Sequence, residues 1–252
     1  MKTVKKMALV GLVACGSVVS ATAQIIVDLE AGAAFPGAYN DIQIPRQTGT
    51  RFNAFGPNFE KSPLFFYRGR LGYTFNDRHT VIALVAPLAL ETRTNGNLAS
   101  PVLFQGVLFG TDRPLAVRYQ FNSYRLTYRY NFVRSQTWRV GAGLTAKLRD
   151  ASVRLNDGQR QAIDENRGFV PLINLFAHWT PTGRFGLMVE GDVITAPGFG
   201  RAEDVFGGIT YRLRGRTALK AGYRILEGGS DVEQTLNLVL IHYASAGLII
   251  GL

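Results

Sequence analysis

Polar and apolar positions alternate along most of this chain with a period of two. The clearest run is 123–132. Tyr124, Leu126, Tyr128, Tyr130 and Phe132 fall on one side; Ser123, Arg125, Thr127, Arg129 and Asn131 fall on the other. Successive side chains of a strand point to opposite faces, whereas a helix would scatter both sets around its circumference. The next run repeats the pattern, with Trp138, Val140, Ala142, Leu144 and Ala146 set against Arg139, Gly141, Gly143, Thr145 and Lys147. Residues 25–35, 63–75, 184–195 and 217–226 follow suit, while 80–90 and 167–180 are apolar on both faces.

The pattern predicts ten strands, at 25–35, 63–75, 80–91, 115–132, 137–154, 167–181, 184–196, 203–213, 217–227 and 234–252. Short connections near 76–78, 133–136, 181–183 and 214–216 alternate with longer ones near 36–62, 91–114, 155–167, 197–203 and 227–233. The expected fold is all-β, a closed antiparallel transmembrane barrel of about ten strands. The runs 42–55 and 101–110 could be external hairpins or two more wall strands, which leaves twelve open, and eight as a lower alternative. One face of such a strand meets lipid and the other the lumen; periplasmic turns are short and external loops longer.

Aromatic residues gather at the short turns. Tyr73, Phe75, Tyr130, Phe132, Trp138, Trp179, Phe185 and Tyr211 flank the four short connections. Folded up, they form a ring at one end of the barrel, as interfacial girdles do.

The first residues read as an export leader, 1–23. Lys2, Lys5 and Lys6 form a basic start, Met7 to Val19 is apolar and small, and Ala21-Thr22-Ala23 fits the A-x-A cleavage rule, leaving Gln24 first. Leu12-Val13-Ala14-Cys15-Gly16 also resembles a lipobox, so a lipoprotein anchored at Cys15 is the alternative. Cys15 is the single cysteine. A mature chain without it has no disulfide, thiolate-zinc site or cysteine nucleophile. No later stretch offers the roughly 20 uninterrupted apolar residues of a membrane helix. Residues 24–252 are expected to form one barrel domain.

The 46% hydrophobic content would also suit a soluble core, so composition alone does not decide the class. The whole chain carries a net charge of +10; without the three leader lysines, 25 basic groups face 18 acidic ones, net +7. No zinc-ligand cluster, RNP-like aromatic motif or long basic run accompanies that charge, and nucleic acid is not expected as a partner.

The whole mature chain resembles bacterial outer-membrane β-barrels. The resemblance extends to the last strand, where Ala244, Ala246, Leu248, Ile250 and Leu252 alternate as in the segment such barrels present to their assembly machinery; the usual terminal Phe is Leu252 here. It implies outer-membrane lipids, lipopolysaccharide included, and the assembly machinery as partners, and no cofactor or metal.

In this register the lumen receives Arg68, Arg70, Arg125, Arg129, Arg139, Lys147, Arg149, Arg212, Lys220 and Arg224, against Asp28, Glu30, Glu190, Asp192 and Asp204. A barrel near eight strands is just filled by its side chains, and unpaired charge in a dry interior is costly. A salt-bridged interior is therefore expected, with Arg125, Arg129 and Arg139 meeting some of Glu190, Asp192, Asp28 and Glu30. A structural, loop-presenting barrel follows, with a narrow anion-preferring channel or small-ligand transporter as the alternative. A third class is a membrane-embedded hydrolase. Membrane phospholipases carry a pattern resembling His-x-Ser, but His242 and Ser245 are three apart, on opposite faces unless a bulge between 242 and 246 turns His242 inward. Barrel proteases use rim acids with histidine. Asp150, Asp192 and Asp204 are candidate rim acids, yet no long loop carries a histidine and His79 sits at a short turn. No catalytic residues are assigned.

Overall fold

The computed structural model describes residues 24–60, 63–196 and 200–252, and all its regular elements are strands. In chain order they are β1 (Gln24–Pro36), β2 (Asp41–Gln43), β3 (Phe52–Asn53), β4 (Leu64–Phe75), β5 (His79–Ala86), β6 (Ala89–Arg93), β7 (Val102–Phe104), β8 (Val107–Phe109), β9 (Ala116–Arg134), β10 (Trp138–Asn156), β11 (Gln161–Trp179), β12 (Phe185–Ala196), β13 (Gly200–Arg214), β14 (Thr217–Val232) and β15 (Thr235–Gly251). The leader, Cys15 included, lies outside the described residues.

The wall has ten strands in chain order: β1, β4, β5 continued by β6, and β9 to β15. All neighbours are antiparallel, and β1 closes on β15 from Ile26↔Gly251 to Pro36↔Ile241. Closure removes the open sheet edges that hydrocarbon cannot tolerate. β5 and β6 are one wall strand interrupted at Pro87, which has no N–H for the ladder. Both pair with β9 in a single register, Ala86↔Ser123 then Ala89↔Gln120.

Neither 42–55 nor 101–110 adds to the wall. β2 and β3 form a small hairpin laid against the end of β15, and β7 and β8 form a separate hairpin. Two expected long loops are largely strand. β10 and β11 run on to Asn156↔Gln161, and β14 and β15 to Val232↔Thr235. Asp157 closes the first of these turns. Its Oδ1 accepts from the backbone N–H of Gln159 at 2.9 Å and of Arg160 at 2.6 Å, while Gly158 takes a φ of +88°. Those N–H groups hold the Asp157 carboxyl below its ordinary range.

The outer face follows the expected register around the short-turn half. Leu71, Leu126, Leu144, Ile173, Leu187, Ile209 and Leu219 all point out and are exposed. Eight rings gather at the short turns, and seven of them make ring contacts. Tyr73 stacks on Phe75 at 6.2 Å, Trp138 on Trp179 at 5.8 Å, and Phe185 tilts against Tyr211 at 4.9 Å. Tyr130 packs beside His79 at 5.1 Å, and Phe132 is exposed next to it. A second group of outward rings, Phe65, Tyr67, Tyr124, Phe169 and Tyr223, stands toward the long-loop end.

Beyond that second group the wall changes character without breaking. On β9 the outward residues become Asn122, Gln120 and Arg118, while Phe121, Tyr119 and Val117 turn inward and are buried. On β10 the outward series continues as Asp150, Ser152 and Arg154, and Ala151, Val153 and Leu155 are buried inside. The β9–β10 ladder has no register irregularity at this level; its one shift lies between Val140 and Ala142, at the opposite end. The polarity inverts because the outside passes from an apolar surrounding to water, while the inside passes from charged to apolar.

Candidate functional site in the barrel interior

The interior is layered along the barrel axis. The middle layer holds acids and bases from strands all around the wall. Asp204 on β13 accepts from Arg68 on β4 at 3.0 and 3.1 Å, from Arg125 on β9 at 2.5 Å and from Arg224 on β14 at 2.6 Å. The other side of Arg224 grips Glu30 on β1 in a fork, with Nε to Oε1 at 2.7 Å and Nη2 to Oε2 at 2.8 Å. Lys220 joins Glu30 at 2.9 Å to Asp28 at 2.6 Å. Arg70 connects Asp28, at 3.5 Å, with Glu190, and Arg129 donates to Glu190 at 2.8 Å. Arg125 also meets Asp192 at 2.7 Å, whose Oδ1 takes hydrogen bonds from Thr145 and Asn174, each 2.8 Å. Five carboxylates and six cations thus form one connected set. Planar guanidinium forks suit it because each can hold two carboxylates and stays charged.

Arg125 reaches Asp192 and Arg129 reaches Glu190, whereas Arg139 has no ion pair among the described residues. It lies on the wall of the short-turn cavity with Arg212. Lys147 is buried and has no ion pair among the described residues, its ammonium 4.8 Å from the centre of the Phe121 ring. Arg149 is half-buried and donates to Asn166. The guanidinium carbon of Arg129 lies over Phe176, 3.9 Å from its ring centre.

Above the charges is an apolar layer. Inward residues Leu90, Val117, Tyr119, Val153, Leu155, Val239 and Ile241 pack with Ile42, Ile44, Phe104, Phe109 and Leu115 from the two long loops. The loops are tied to one another: Thr50 N–H donates to the Leu103 carbonyl at 2.8 Å, and Gln105 N–H to the Ile44 carbonyl at 3.0 Å. Thr94 and Leu115 exchange further bonds at 2.9 Å that fasten the second loop. Between the two layers, Phe66, Phe121, Tyr243, Arg68 and Arg125 line a partly open pocket of about 20 Å³, room for a single water.

The histidines do not assemble a catalytic group. His79 Nδ1 pairs with the Tyr128 hydroxyl at 2.8 Å, and His178 Nε2 with the Thr210 hydroxyl at 2.9 Å. His242 stacks on outward Tyr223, while Ser245 is buried on the inner face; β15 carries no bulge there. Asp192 and Asp204 belong to the middle layer rather than to a rim, and Asp150 is held by Arg167 at 2.9 Å on the outside. Among the described residues, no group of three or more His, Cys, Asp or Glu side chains could hold a metal.

No family model matches the chain, and no curated protein matches it by sequence. Solved structures do match its fold. The outer membrane protease OmpT of Escherichia coli aligns at 10% identity over 91% of this chain and 97% of its own, with a TM-score of 0.54. The chain has the fold of an outer-membrane β-barrel. Neisserial surface protein A aligns at 15% identity over 90% and 96% of the two chains, with a TM-score of 0.37. The attachment invasion locus protein of Yersinia pestis aligns at 8% over 90% and 99%, with a TM-score of 0.38. At these identities the likeness concerns the fold. In an outer-membrane barrel the apolar band between the two groups of rings is the lipid-facing surface, and the polar upper stretch of β9 to β11 stands above it.

The girdle and the inward charges were readable from alternation. The apolar layer has its sequence signal in Val117, Tyr119 and Phe121, which share a face with Arg125 and Arg129.

Proposed function

We propose that this protein is an exported barrel of the bacterial outer membrane whose lumen is closed and whose working surface is its external end. The observation that carries this reading is the series arrangement of two blocking layers, the connected ion pairs and the loop-built apolar layer. A passive channel needs a continuous wet path, and the pocket lined from both layers has room for one water. The long loops are fastened over the junction of the layers, and β10 and β11 raise a polar hairpin beyond the lipid band. The architecture therefore supports a rigid stalk that displays a fixed surface. Lipids, with lipopolysaccharide on the outer side, would surround the apolar band, and the last strand would be the segment handed to the assembly machinery.

Site-directed labelling tests the location and the orientation together. A cysteine in place of Gly158, in the β10–β11 turn, should react with a membrane-impermeant maleimide on intact cells. A cysteine in place of Thr182, in a short turn, should react only after the outer membrane is opened. Equal labelling of both on intact cells, or recovery of the protein in the soluble periplasmic fraction, would contradict the proposal.

A further inference from the structure

The short-turn end of the lumen contains a cavity of about 460 Å³. Its floor is the middle layer, where Glu190 and Asp28 are already engaged by Arg70, Arg129 and Lys220. Its rim carries Arg139 and Arg212, at the ends of β10 and β13, and Arg184 and Arg216, in the turns before β12 and β14; all four are exposed to the cavity mouth. No ion pair involves any of these four guanidiniums among the described residues. Asp77, at the mouth, is paired with Arg134 at 3.2 Å and also attracts Arg139. Deeper in, buried Arg129 gives Nη1 to Glu190 and leaves Nε without a hydrogen-bond partner. Phe176, Met188 and Ile249 supply an apolar side to the same cavity.

We propose that this vestibule is a binding site for a small solute bearing two or more carboxylate or phosphate groups, entering from the short-turn side. Four guanidiniums without an ion pair among the described residues face one cavity, and with Asp77 as the acid at its mouth they leave it strongly positive. Each can hold an oxyanion through two parallel N–H groups. A single monovalent anion would satisfy one fork; a solute with two acidic groups bridges wall arginines from different strands. The apolar side accommodates a carbon skeleton. The floor makes the site blind, so the solute is held rather than passed on. Binding itself does not require the closed-lumen reading, so either can fail alone.

Isothermal titration of the full protein in detergent tests the proposal, with citrate and inorganic pyrophosphate as probes. One-to-one binding of either probe is expected, with acetate at equal ionic strength failing to compete. Citrate alone would assign carboxylates, pyrophosphate alone phosphates. Arg139→Gln with Arg212→Gln should weaken binding by about tenfold or more, since two charge-assisted contacts are lost. Arg214→Gln, exposed at the same end but off the cavity wall, should leave it unchanged. Arg139→Lys with Arg212→Lys keeps the charge and guards against a folding artefact; heat-modifiable migration on a gel verifies that each variant is a folded barrel. The proposal is overturned if neither probe binds, or if Arg214→Gln weakens binding as much as the wall pair does, which would mean a diffuse ionic atmosphere.

Discussion

Asp204→Asn is expected to destabilise the barrel by about 3–5 kcal/mol, the cost of removing one member of a buried charge pair. Asp204 is the carboxylate on which three guanidiniums converge. Two of them have a second acid: Arg125 keeps Asp192 and Arg224 keeps Glu30. Arg68 has no other ion pair among the described residues, and its Nε and Nη2 already lack partners. The isosteric amide would leave that cation buried beside two others. Asp192→Asn should cost much less. Arg125 retains Asp204, and Thr145 and Asn174 can still bond a side-chain amide. Adding Arg68→Met to Asp204→Asn should recover part of the loss, because an apolar side chain needs no counter-charge. Urea unfolding in lipid vesicles would measure all three; Trp138 and Trp179, the two tryptophans, report on the transition. Equal, small losses for Asp204→Asn and Asp192→Asn would mean that water screens the layer.

Leu126→Arg should cost about 2–4 kcal/mol, the range for a basic residue placed at the lipid-facing midplane of a barrel. Leu126 is 57% exposed on the outer face, with Ala83 and Ala146 as its cross-strand neighbours. Neither cross-strand neighbour is long enough to shield a guanidinium; along the strand Tyr124 and Tyr128 flank the position two residues away on the same face. Ile163→Arg supplies the contrast. Ile163 also points outward and is partly exposed, but it sits on β11 above the rings, between Glu165 and Gln161 on its face. It should be nearly neutral there. The same equilibrium unfolding assay separates the two, and similar costs at both positions would place the lipid boundary elsewhere.

How far the fold could be read from the chain depends on where the surroundings impose a pattern. In the band between the rings, lipid demands apolar side chains outward and the narrow lumen collects the polar ones, so Tyr124 to Phe132 declare both the strand and its facing. Above the rings that constraint is gone. Residues 161–168 pair along their length with β10 yet show no apolar face, because water lies outside; a ladder without a lipid face looks like a loop. The segment 80–90 is apolar on both sides because Leu84, Leu88 and Leu90 are buried inside, the last two in the loop-built layer, while Val85 faces lipid. The phase reversal between Phe121 and Tyr124 would suggest a bulge to a reader of alternation alone. It marks instead the level where the exterior turns aqueous and the interior turns apolar. The pairings within the charged layer were less legible. Alternation gives a facing but not the height and azimuth that join Arg68 to Asp204 across 136 residues of chain.

Planar-bilayer recording of the purified wild-type barrel tests the closed lumen most directly. The two layers in series predict no steady conductance in the wild type. They also predict none when Glu190 and Asp192 are both replaced by alanine, since the apolar layer of Phe104, Phe109 and Leu115 still stands in the path. Large, steady, anion-selective openings in the wild type would contradict the account and establish a conducting channel in its place.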